Sequence, residues 1–79
     1  MVQKWEYCEV GDFNGSVSVV IYRSDGNHQV HRYDKLKDKS RIVFWQTVAQ
    51  LGTEGWEMIV VKNIGETSLI TAYFRRPLS

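Results

Sequence analysis

Only one stretch of this chain, Ser40 to Glu54, spaces its apolar residues for a helix. The segments on either side of it favour strands. A helix of that length is roughly 22 Å long and covers one face of a small sheet and no more. The 79 residues make one domain. A chain so short buries only roughly 60% of its unfolded surface, so its core has to be dense. Three Trp, four Tyr and three Phe supply that density, each burying on the order of 150–250 Å².

Val2 to Val10 reads as the first strand and Gly11-Asp12-Phe13-Asn14-Gly15 as a turn. Ser16 to Arg23 is the second strand. Ser24-Asp25-Gly26-Asn27 is a hairpin signal, since Asp-Gly tolerates the positive φ of a type I′ turn, and His28 to Tyr33 returns as the third strand. A two-residue Asp25-Gly26 loop pairs Ile21 with Val30, Val20 with His31 and Ser18 with Tyr33. That register makes one face aliphatic (Val17, Val19, Ile21, Val30) and the other amphipathic (Ser18, Val20, Tyr22, Gln29, His31, Tyr33).

A charged connection, Asp34 to Lys39, leads to a helix capped by Ser40 or Asp38. Its apolar stripe is Ile42, Phe44, Trp45, Val48, Ala49 and Leu51. Gly52 and Gly55 compete for the stop. Gly55 is favoured because a Schellman cap there brings Trp56 against Leu51; Gly52 then sits inside the helix and allows close approach to the sheet. Trp56 to Lys62 is the fourth strand, Asn63-Ile64-Gly65-Glu66 a turn, and Thr67 to Arg76 the fifth strand, stopped by Pro77. The expected fold is α+β: a five-stranded, mostly antiparallel curved sheet with one helix on one face, in the order β-β-β-α-β-β.

Three segments resemble a small bacterial and phage family catalogued as domain of unknown function 4177. Lys4-Trp5-Glu6-Tyr7 resembles its opening "KWEY" strand, Gln50-Leu51-Gly52-Thr53-Glu54-Gly55-Trp56-Glu57-Met58-Ile59 its "LGxEGWEL" core, and Tyr73-Phe74-Arg75-Arg76-Pro77-Leu78 its closing "FKRP" strand. The resemblance implies a short α+β domain and brings no activity, cofactor or catalytic residue. It marks Trp5, Tyr7, Leu51, Gly52, Gly55, Trp56, Glu57 and Pro77 as motif residues of the structure.

The chemistry-bearing residues do not assemble into a known catalytic pattern. The single Cys8 permits neither an internal disulfide nor a multi-cysteine zinc site. It reads as a packing residue, and a reducing cytoplasm suits it. His28 and His31, three apart on a strand, point to opposite faces and do not share an ion; no metal or cofactor is expected. Lys35, Lys37, Lys39 and Arg41 precede the helix and Arg75-Arg76 follow Tyr73-Phe74. With a net charge of +1, these read as a solvated loop and an edge guard rather than a nucleic-acid surface. No apolar run approaches the roughly 20 residues of a membrane span.

Apolar residues nevertheless occupy both faces of several strands, and one helix shields one face. An antiparallel sheet with a wet side shows cleaner alternation, and a contiguous apolar patch marks an interface. The expected function is a non-enzymatic interaction or self-assembly module, a homodimer by preference. Val20, Tyr22, His31 and Tyr33 are its interface candidates. A second reading is a small-ligand or nucleotide pocket between subunits, lined by aromatics with Arg75, Arg76 or His31 supplying charge. A third is weak binding of single-stranded nucleic acid through the same face.

Overall fold

The computed structural model describes residues 2–13, 15–63 and 69–78. Alternation of buried and less buried side chains marks β1 (Trp5–Phe13) and β2 (Ser16–Tyr22), and β3 (His28–Tyr33) follows as a strand exposed along its whole length. A single 3₁₀ turn at Lys37–Lys39 leads into α1 (Ser40–Thr53), and β4 (Glu57–Asn63) and β5 (Ile70–Pro77) complete the chain. The five strands form one sheet in the order β3-β2-β1-β5-β4, antiparallel at every step. The expected α+β fold with one helix is therefore the fold of the chain. The expected turn after β4 lies mostly outside the described residues.

A three-stranded meander, β1-β2-β3, and the antiparallel pair β4-β5 are joined by the long-range pairing of β1 with β5, which sets Trp5 opposite Pro77 and Cys8 opposite Phe74. The first strand runs three residues further than the sequence suggests, because Gly11, Asp12 and Phe13 pair with Ser18, Val17 and Ser16. Pro77 closes β5 instead of lying just beyond it. The bond from Leu78 N–H to the Lys4 carbonyl makes those two a bonded pair. Ladder alternation then turns the nitrogen of Pro77 away from β1, toward a side where β4 has not yet begun.

One face carries Cys8, Val10, Val17, Val19, Ile70, Ala72 and Phe74, which with Phe44, Leu51 and Trp56 form the buried core. The helix packs on β1 and β2. Only part of its apolar stripe faces the sheet: Phe44 and Leu51 are buried and Val48 packs partly, whereas Ile42 and Trp45 stand in solvent. The Trp45 ring meets Phe44 edge-on at 5.0 Å.

The helix stops at Gly55, whose φ is +90°. Trp56 N–H donates to the Leu51 carbonyl at 3.0 Å and Gly55 N–H to that of Gly52 at 3.2 Å, the bond pair of a Schellman cap. Gly52 makes no close approach: a Cβ there would meet nothing within 4 Å. Ser40 is the first helical residue and Lys39 the N-cap, with no side-chain cap bond.

The β2–β3 connection corrects the expected register. Gly26 N–H bonds the Arg23 carbonyl at 3.1 Å, Arg23 N–H bonds the Asn27 carbonyl at 2.7 Å, and Gly26 has φ +93°. This is a three-residue loop, a turn followed by a left-handed glycine, and not a two-residue one. Asn27 N–H bonds the Asp25 carboxylate at 2.9 Å and fixes it. Val20 consequently pairs with Val30, Val19 with His31 and Val17 with Tyr33. One extra loop residue turns every β3 side chain to the opposite face from that expected.

Candidate functional site

The face away from α1 is built from the odd residues of β1 and β5 and the even residues of β2 and β3. Registers across the sheet line its side chains into transverse rows. One row runs Val30, Val20, Glu9, Tyr73, Val60 and spans all five strands; the next runs His28, Tyr22, Tyr7, Arg75, Glu57. Tyr7 is 49% exposed, Tyr22 46%, Val30 59% and Val60 40%. Phe13 completes the aromatic surface. Its ring lies over Gly11, where any Cβ would overlap it, which is why Gly11 is buried on the uncovered side.

The interface candidates are divided by the corrected register. Val20 and Tyr22 lie on this open face, and Val30 joins them. His31 and Tyr33 lie on the helix side, opposite Val19 and Val17, with their rings 6.4 Å apart and near parallel. There Tyr33 borders a groove of about 290 Å³ whose other wall is Val43, Gln46, Thr47 and Gln50 of the helix. Arg75 and Arg76 are divided in the same way, one to each face.

Both arginines belong to stacks made from the motif residues. On the open face Arg75 lies 4.3 Å over the Trp5 ring and 3.4 Å from the Glu57 carboxylate. On the helix face Arg76 lies 4.3 Å over Trp56. It reaches the Glu6 carboxylate at 2.9 Å and donates to the Glu54 carbonyl at 3.2 Å. Each stack combines a cation–π contact with an ion pair. The three segments that carried the family resemblance thus meet at one end of the sheet, through the β1–β5 pairing and the helix cap.

Glu6 is the buried centre of this cluster. Arg23 Nη1 bonds it at 2.8 Å while Arg23 Nη2 donates to the side-chain Oε1 of Gln29 at 2.7 Å. Hydrogen bonds from Arg23 and then Arg76 hold the Glu6 carboxyl below its ordinary value against the opposing cost of burial. At the other end of β1, Asp12 is buried with Arg41 Nε at 3.0 Å. Its second oxygen has no partner among the described residues. Sequence reasoning weighs Glu6 only as one of several carboxylates with no pattern that pairs them, and passes over Asp12. The available signal was their place in the alternation: Glu6 and Asp12 share a face with Cys8 and Val10.

Cys8 is 1% exposed, and burial pushes its thiol up to about 12, which removes the thiolate that nucleophilic chemistry requires. Among the described residues no three His, Cys, Asp or Glu side chains are placed to share a metal ion. No described helix is long and apolar enough to cross a membrane. No family model, curated protein or solved structure matches the chain.

Proposed function

We propose that this protein is a non-enzymatic self-assembly module that uses its uncovered sheet face. The observation that carries the reading is the row Val30, Val20, Glu9, Tyr73, Val60, which spans all five strands and has Glu9 as its one charged member. It is flanked by Tyr7 and Tyr22, each about half exposed. Exposed aromatic and branched side chains packed side by side are the chemistry of an interface centre. A second copy is the simplest occupant, because one surface then serves both partners. A reducing, cytoplasmic setting goes with a lone cysteine buried in the core, and the motif segments support membership of the small bacterial and phage family they resemble.

The charges of this face favour the same reading over nucleic-acid binding. Arg75 is engaged by Trp5 and Glu57, and Arg32 has Asp34 within 3.5 Å. These neighbours reduce the positive field that a phosphate backbone needs. Replacing Tyr22 or Val60 with Lys tests the proposal, each change expected to weaken association by about 1–2 kcal/mol. Unaltered association in both variants contradicts it. Thermal stabilisation by a nucleotide, or salt-sensitive oligonucleotide binding, selects one of the ligand-based readings instead.

A further inference from the structure

The two edges of the sheet are not equivalent. On β4 the pairing is interrupted by a bulge between Met58 and Val60, and the strand carries Lys62. Both are devices that discourage a second strand from adding. On β3 there is no proline and no register shift, and all six residues are exposed; its one charged side chain, Arg32, lies 3.5 Å from Asp34.

The bonding phase of β3 follows from its hairpin. Arg23 and Asn27 are a bonded pair, and bonded pairs alternate along an antiparallel ladder. Gln29, His31 and Tyr33 therefore bond inward to β2, opposite Ile21, Val19 and Val17. His28, Val30 and Arg32 turn their N–H and C=O groups outward.

We propose that β3 is the mating edge of a two-fold dimer in which it pairs antiparallel with β3 of a second copy, centred on Val30. An axis normal to the sheet keeps each face on its own side, so directly paired residues must share a face. Placing Val30 opposite Val30 sets His28 opposite Arg32 twice, and every outward donor and acceptor from His28 to Arg32 finds a partner. Shifting the centre to His31 leaves the His28 groups unpaired. The centred register also carries the row Val60, Tyr73, Glu9, Val20, Val30 across the axis into the same row of the partner. The result is one ten-stranded sheet with both helices on the same side.

This inference goes beyond the open-face reading: edge pairing leaves the apolar face uncovered and continues it across both copies, so face association through Tyr22 and Val60 is a separate contact. Six residues at about 3.4 Å each give about 20 Å of edge. Over the roughly 10 Å thickness of a sheet that edge offers on the order of 200 Å² per partner, well below the roughly 800 Å² of a standard interface, so the dimer belongs to the weak, exchanging class.

Residue-resolved amide exchange, followed as concentration rises through the association range, tests it. Where nine-tenths of the chain is dimeric, the amides of His28, Val30 and Arg32 are expected to exchange about tenfold more slowly than in the monomer. Those of Gln29, His31 and Tyr33 are expected to be protected throughout. Val30→Pro removes one outward N–H and no bond to β2; it is expected to weaken association at least tenfold, and if it does not fold the wild-type exchange pattern decides. Association without added protection at His28, Val30 and Arg32 overturns the edge pairing and leaves open-face assembly standing. A monomer up to millimolar concentration overturns both.

Discussion

At the scale of single residues, the buried carboxylate of Glu6 is the most consequential charge. Its pKa lies below the ordinary 4.5 in the folded chain. The pair it makes with Arg23 and Arg76 therefore contributes stability above that ordinary value, and the contribution is lost as pH falls through the folded one. Urea unfolding of Glu6→Gln is expected to show a lower midpoint than wild type at neutral pH and a shallower loss on acidification; parallel curves contradict the assignment. Cys8 is expected to resist thiol reagents at pH 8 in the native state and to react once urea unfolds the chain, because its thiol is buried and held protonated up to about 12. Part of this was legible in the sequence. The lone cysteine reads as a packing group because it shares a strand face with Val10. The roles of Glu6, Arg23 and Arg76 were not legible, since their meeting requires the pairing of β1 with β5, and no local pattern specifies which distant strands adjoin.

At the scale of elements, the two glycines at the end of α1 have opposite roles. Gly55 holds a left-handed φ of +90°, where a Cβ is strained, so Gly55→Ala is expected to destabilise by about 1 kcal/mol. Gly52 is helical and faces open space. Gly52→Ala is expected to stabilise by about 0.5–1 kcal/mol. Chemical denaturation of both variants measures the difference, and a loss of stability in Gly52→Ala contradicts the assignment. The Schellman cap was legible because Gly-Trp after Leu51 offers a hydrophobic contact that the alternative stop lacks. The β2–β3 register was not. Asp-Gly fits a two-residue turn, but the Asp25 side chain bonds the Asn27 N–H and the loop takes three. Since strand side chains alternate, that single residue moved Val30 to the open face and sent His31 and Tyr33 to the helix side.

At the scale of the whole molecule, one helix over β1 and β2 leaves a complete sheet face without cover, as the count of apolar strand positions against helix length suggested. What the sequence did not reveal is how unlike the two edges are. The β4 edge is broken by its bulge, while β3 is regular along its length and exposed. An uncovered face ending at an open edge is the surface that the proposed self-assembly would use. Sedimentation equilibrium of the unmodified chain from micromolar to millimolar concentration addresses this most directly. A weight-average mass that climbs from the 9.2 kDa of one chain toward twice that value is the expected result. A constant 9.2 kDa over the whole range contradicts it.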